Sequence, residues 1–320
     1  MIIRQSTKED LPHIIALLKQ SIGEALTPKT EAYFLWKHEK NPFGRSKVLL
    51  AVEDGRIIGL RAFMRWNWES KAENISAVRA VDTATDPAFQ GKGVFKKLTL
   101  QVVDECKHEG TGMVFNSPNP VSMQGYLKMG WSIAGRLPLY LGRGSLAPRF
   151  FSPENTAVFY TEYSIETAIN KLNINWALPS DSIFLHTPLD FNYLSWRYRD
   201  CPVATYGAVI EPGKFGFVFR LKKLNRFIEL RICEIWTEPG ATDQKPARAA
   251  FQKLLKKIRP AMVSCAASPL FMSGKKQVTG LLGPFKKGPV ITIRPLATDN
   301  LNNFEKFSKW QPSLGSMELF

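Results

Sequence analysis

Asp86-Pro87-Ala88-Phe89-Gln90-Gly91-Lys92-Gly93-Val94-Phe95 is the stretch that decides how this 320-residue chain folds. A run with the alternation of a strand precedes it (AVRAVDTAT, 77–85), and Phe95, Leu98, Val102 and Cys106 follow at helical spacing, so it joins a predicted strand to a predicted helix. Glycine has no Cβ and tolerates positive φ. Successive N–H groups can therefore converge on an anion, and the helix N-terminus adds partial positive charge. A phosphate suits such a place. The stretch is not a P-loop, because no Gly-Lys-Ser/Thr closes it, and it lacks the Gly-x-Gly-x-x-Gly dinucleotide fingerprint. Taken alone, Gln-Gly-x-Gly is most often an ordinary loop before a helix.

Upstream, IIRQ reads as a short strand, Ser6-Thr7-Lys8-Glu9 as a capping box, and Leu11, Ile14, Ile15, Leu18 and Ile22 as one face of a helix. VLLAVEDGRIIGLRAFM reads as a hairpin turning at Asp54-Gly55. Downstream, MVFN reads as a strand. Asn119-x-x-Ser122-x-x-x-Tyr126-x-Lys128-x-Gly130-Trp131 then reads as a helix that Asn119 caps, Pro120 starts and Gly130 ends in a left-handed conformation, with Asn119 and Tyr126 on roughly one face.

These two motifs, in this order, resemble the GNAT superfamily of N-acetyltransferases. Its pyrophosphate loop is Gln/Arg-x-x-Gly-x-Gly/Ala after the fourth strand, matched here by Gln90 and Gly93 with Phe95 in the last place. Its second element is Asn-x-x-Ala-x-x-x-Tyr-x-Lys-x-Gly-Phe, matched with Ser122 and Trp131 as conservative changes. The resemblance covers about residues 1–145. It implies an α/β (α+β) fold of mixed, mainly antiparallel sheet flanked by helices, and direct transfer of acetyl from acetyl-CoA to a primary amine. By the same resemblance, Thr83, Ala84 and Thr85 would bond the pantetheine arm, and Gln90, Gly91, Lys92, Gly93, Val94 and Phe95 would hold the pyrophosphate, with Asn119 nearby. Tyr126 would protonate the leaving thiolate, a task that suits a phenol of ordinary pKa about 10. Asp82 is the candidate base; the alternative is a strand-end carboxylate paired with Arg79, Arg61 or Arg65.

The second half repeats the first. Trp36-Lys37-x-x-x-x-Pro42 is matched by Trp196-Arg197-x-x-x-x-Pro202, followed by a hairpin turning at Pro212-Gly213, a strand (IELRICEIWTE), a helix with Phe251, Leu254, Leu255 and Ile258 inward, and a strand (AMVSC). Where the glycine loop would fall stands Thr237-Glu238-Pro239-Gly240-Ala241-Thr242-Asp243, whose carboxylates oppose phosphate. The expected organisation is therefore a catalytic domain over 1–145, a linker over 146–184 around a helix near 165–172, and a degenerate second copy over 185–320 that binds no cofactor.

Composition bounds the rest. Hydrophobic residues make up 44% and charged residues 22%, as in globular proteins. No run is long and apolar enough to span a membrane, and MIIRQSTKED has no signal-peptide pattern, so a cytoplasmic protein is expected. Cys106, Cys201, Cys233 and Cys265 form no Cys-x-x-Cys pair, and His13, His38, His108 and His186 are scattered, so no metal is expected. A net charge of +15 suits any anionic partner, but no nucleic-acid-binding signature organises it. Partners reduce to a small-molecule or glycan amine. Two alternatives stand beside acetylation. One is acyl or aminoacyl transfer to a cell-wall or polysaccharide intermediate, suggested by the ending Trp310-x-x-Ser313-x-Gly315-Ser316-Met317-Glu318-Leu319-Phe320. The other is a non-catalytic protein that binds coenzyme A or nucleic acid. No Ser/His/Asp constellation is apparent.

Overall fold

The computed structural model describes residues 1–24, 27–180, 182–238, 243–266, 281–296 and 307–317. Two sheets organise the chain, one of seven strands and one of six, each the core of its own compact unit.

In chain order the first stretch forms β1 (Ile2–Gln5), α1 (Leu11–Ile22), α2 (Glu31–His38), β2 (Lys47–Glu53), β3 (Arg56–Glu69), β4 (Asn74–Thr85), α3 (Val94–His108), β5 (Met113–Asn116), α4 (Pro120–Lys128) and β6 (Ser132–Arg136). The expected hairpin, helices and strands are all present, and α2 adds a helix that the pattern did not show. At the start of α1 the cap differs by one residue. Asp10, not Glu9, accepts from the Thr7 N–H (2.8 Å) and hydroxyl (3.2 Å), because Arg4 on β1 clamps Asp10 at 2.6 and 2.7 Å. The same Arg4 contact holds the Asp10 carboxyl down at about 2.

The core of this unit places Leu49, Ala51, Ile58 and Phe63 of the hairpin and Val78 of β4 against Leu98, Val102, Val103 and Cys106 of α3. Gly59 lets that helix lie close: a Cβ there would come within 2.6 Å of Val94 Cγ1. Sheet order is β1-β2-β3-β4-β5-β13-β6, where β13 is Val290–Pro295 from far along the chain, with β4 and β5 parallel.

The second stretch forms β7 (Leu139–Arg143), α5 (Pro153–Glu162), α6 (Ile165–Ile169), α7 (Phe191–Leu194, continued by a π turn over Ser195–Arg199), β8 (Gly207–Glu211), β9 (Phe215–Leu224), β10 (Phe227–Thr237), α8 (Lys245–Ile258), β11 (Met262–Ala266), β12 (Leu282–Phe285) and β13 (Val290–Pro295). Its sheet runs β12-β7-β11-β10-β9-β8, with β10 parallel to β11 as β4 is to β5. Phe251, Leu254 and Ile258 of α8 pack on Phe217, Phe219, Leu230 and Ile232. Of the acidic loop 237–243, residues 239–242 lie outside the described ones, as do 318–320 of the chain ending.

The expected contiguous domains differ from this arrangement. Strand β13 lies between β5 and β6 of the first sheet, whereas β7 lies between β11 and β12 of the second. Residues 146–184 are not a linker: they contribute α5 and α6, and Phe159 enters the second core. Strand partners distant in sequence leave no periodic signature, so local pattern assigned β7 and β13 to their neighbours in the chain.

In the second unit Glu234 is buried, and one of its oxygens accepts from the hydroxyls of Tyr198 (2.7 Å), Ser313 (2.8 Å) and Tyr193 (3.1 Å). Burial pushes its carboxyl up from 4.5 to about 6, against the opposing pull of those hydroxyls and of Arg197, and burial together with its charge in turn raises the nearby Cys233 and Cys265 thiols. A folded pKa above the ordinary value contributes stability below pH 4.5 that is lost as pH rises through about 6. The shift corresponds to about 2 kcal/mol. Glu234→Gln should therefore flatten the pH dependence of unfolding between pH 4 and 7, read by urea titration against the parent. An unchanged slope would remove Glu234 as its source.

Candidate functional site

Every expected site residue of the first unit lies on β4, on α3 and the loop before it, or on α4. Strand β4 pairs with β5 over Ala77–Arg79 and Met113–Phe115 and then runs on to Thr85. Beyond the last pair β4 continues beside β3, and Thr83, Ala84 and Thr85 stand on the stretch that β5 does not pair with. The Thr85 carbonyl accepts from Ser21 Oγ (3.1 Å) and Gln90 Nε2 (3.4 Å), which ties the loop back to the strand it leaves.

Asp86 shapes that loop. It is buried, one oxygen accepts from the Ala88 N–H at 2.9 Å, and the other pairs with Arg56, giving a single 3-10 turn over Pro87–Phe89. Gly91 and Gly93 then adopt φ of +75° and +78°, with Gly93 as the left-handed N-cap of α3. A Cβ on either would meet no atom within 4 Å, so glycine supplies backbone conformation here rather than room. The first-turn N–H groups of α3 have no partner within the helix and face this loop's end. Lys92 Nζ lies 4.5 Å from the Phe89 ring centre. Phe95, which departs from the Gly/Ala of the motif, packs edge-on against Tyr126 at 5.7 Å, and the missing side chain of Gly125 makes space for it.

Asn119 caps α4 as expected, accepting from the Ser122 N–H at 2.8 Å, and Gly130 follows the helix at φ +90°. Tyr126 is buried between Phe95 and Trp131. Its hydroxyl accepts from Arg61 Nη2 at 2.6 Å. Arg61 is fully buried on β3, stacked within 5.6 Å of the Phe63, Phe95 and Tyr126 rings, and its Nε has no hydrogen-bond partner. Among the described residues no carboxylate pairs with it. The sequence marked Arg61 only as a possible partner of Asp82.

Asp82 has other partners. Its Oδ2 lies 2.9 Å from Lys37 Nζ and 2.9 Å from His38 Nε2, while His38 Nδ1 lies 2.9 Å from Ser46 Oγ. Burial alone would raise the carboxyl; Lys37 and His38 overcome burial and hold it well below the usual carboxylate range. A carboxylate held that low accepts protons poorly. Asp82, expected as the base or as a partner of Arg79, Arg61 or Arg65, is paired here with Lys37 and His38 instead. Arg65 is taken by Glu109 and Thr111, and Arg79 donates to Ser117 Oγ at 3.1 Å. Lys37, His38 and Ser46 were missed, although Trp36-Lys37, repeated as Trp196-Arg197, held the signal. Among the described residues no cluster of His, Cys, Asp and Glu could hold a metal ion.

With this geometry in view, residues 2–134 match the family model described as Acetyltransferase (GNAT) domain. Residues 2–134 are a GNAT acetyltransferase domain. The fold extends the likeness to the rest of the chain. A GCN5-related N-acetyltransferase from Anabaena variabilis superposes with a TM-score of 0.60 at 12% identity, over 92% of this chain and 73% of its own. One from Kribbella flavida gives 0.58 at 15%, over 92% and 71%, and a conserved protein of unknown function from Enterococcus faecalis gives 0.61 at 10%, over 92% and 72%. Identities this low establish a shared fold. None of the curated proteins matches the chain. The GNAT domain thus carries both motifs in the positions their order implied, and it supports acyl transfer.

Proposed function

We propose that the GNAT domain transfers acetyl from acetyl-CoA to a primary amine of a small molecule or glycan by direct attack. The observation that carries this reading is the left-handed Gly91 and Gly93 at the start of α3, with open space where their side chains would stand, beside the first-turn N–H groups of a helix, which suit an anion. A pyrophosphate fits that place: the amides of residues 91–95 would hold it, with the positive end of α3 behind them. On the edge of β4 that β5 leaves unpaired, Thr83–Thr85 would offer backbone groups to the pantetheine arm. Acetyl-CoA supplies the thioester carbonyl.

Tyr126 serves as the acid. An arginine donates and never accepts, so the Arg61 contact occupies a lone pair of Tyr126 Oη and leaves the phenol proton free to be given to the departing sulfur. When that proton leaves, the phenolate stands against a guanidinium already in place, without reorganisation. The ion pair of Asp82 with Lys37 braces α2 against β4.

Gly93→Asp tests the loop directly. At φ +78° an aspartate is strained, and its carboxylate would sit where phosphate charge must approach. Calorimetry with acetyl-CoA should show affinity at least about 100-fold weaker, the sum of the backbone cost and charge repulsion. Parent-like affinity would refute the loop assignment.

A further inference from the structure

The second unit repeats the buried acid and buried base of the first but keeps them from meeting. Asp82 stands three residues before the end of β4, and Glu234 stands three before the end of β10; Lys37 follows Trp36, and Arg197 follows Trp196. In the first unit Lys37 touches Asp82 directly. In the second, Arg197 turns away and donates from Nε to the Gly315 carbonyl (3.0 Å) and from Nη2 to the Met317 carbonyl (3.0 Å). Glu234 meanwhile accepts from Ser313 Oγ at 2.8 Å. Residues 313–317 thus bond to both members of the pair, although Arg197 Nη1 is buried with no hydrogen-bond partner.

The place they occupy is defined by the sheet. Strands β10 and β11 are paired up to Ile232 and Cys265, and the next residue of β10, Cys233, gives its carbonyl to the Gly315 N–H at 3.2 Å. The segment enters where the two strands part. Ser313, Leu314, Ser316 and Met317 are all buried, and Ser316 Oγ lies 2.9 Å from Thr187 Oγ1. Gly315 sits tightly enough that a Cβ would overlap both Tyr198 Oη and the Glu234 carboxylate. Glycine is required there for close approach, since its φ is not in the left-handed region.

We infer that residues 313–317 are a built-in plug: an extended peptide that fills the cleft between β10 and β11 and closes the second unit to any ligand entering there. Resting on the acyl-CoA reading of the first unit, this closed cleft is the counterpart of the one beside Thr83–Thr85, so the chain has a single acyl-CoA site. The replaced glycine loop and the plug are two separate obstacles to a second site.

Hydrogen–deuterium exchange of the full chain, read by mass spectrometry, tests the plug. In the parent, peptides covering 310–317 should exchange as slowly as those covering 217–232. Gly315→Ala should release the segment, raising exchange at 310–317 by about tenfold or more while 217–232 stays protected. If that variant loses protection everywhere, Ser313→Ala combined with Thr187→Val removes two side-chain contacts of the segment without the overlap and should produce a smaller, still selective rise. Fast exchange at 310–317 in the parent overturns the inference, as does a loss at 310–317 inseparable from loss at 217–232 in both variants. Calorimetric titration of the parent with coenzyme A separates the two readings. One molecule per chain is expected, two would overturn the closed cleft, and none would strike the acyl-CoA reading while leaving the exchange result standing.

Discussion

Tyr126→Phe should lower kcat by about 10²- to 10⁴-fold, the scale for losing a general acid, with affinity for acetyl-CoA unchanged. The phenol is buried between Phe95 and Trp131, so removing one oxygen leaves the packing intact, and the loop that would hold the cofactor lies on another element. The lost atom is the one that accepts from Arg61. Arg61→Met should therefore also slow turnover, yet cost little in the Tyr126→Phe background, because its effect passes through the phenol. Replacing Arg61 leaves no buried carboxylate orphaned, since none among the described residues pairs with it. Steady-state kinetics on an identified amine, with calorimetry for affinity, would decide. Unchanged kcat removes Tyr126 from the mechanism, and additive losses remove Arg61 from its service.

Lys37→Met should destabilise the protein by about 3–5 kcal/mol, the cost of stranding one member of a buried ion pair. Lys37 and Asp82 are both largely buried, and methionine fills the lysine stem without its charge. Asp82 would keep only His38. Because Lys37 and His38 depress the Asp82 carboxyl, the pair's contribution is present above the ordinary carboxylate range and is lost as pH falls through the lowered value. The deficit should therefore be full at neutral pH and shrink under acid. Combining Lys37→Met with Asp82→Asn should recover much of it, since no charge is then left unpaired. Urea unfolding at pH 7 measures both. A single-variant loss under about 1 kcal/mol would show that the pair is screened by solvent.

These contrasts show which features the amino acids determine by themselves. Short-range devices were legible because their physics is local. Pro120 after Asn119 starts α4, Gly93 at positive φ opens α3, Asp54-Gly55 turns a hairpin, and apolar spacing separates α3 and α8 from the strands around them. The order of loop, helix and Tyr126 was enough to name the fold and the chemistry it supports.

What only tertiary structure decided are the partnerships between residues far apart in the chain. Nothing near Asp82 in sequence indicates that α2 delivers Lys37 and His38 to it, or that Arg61, one of several arginines on β3 and β4, is the one buried against Tyr126. Likewise, β13 joins the sheet built from the first stretch of chain, and Gly315 was only a small residue in a loose ending until Tyr198 and Glu234 were seen around it. Periodicity records which face of an element is buried, because burial needs only an apolar side chain at the right interval. It does not record what lies against that face, because pairing is fixed by the free energy of the assembled core and its buried charges, to which residues distant in sequence contribute equally.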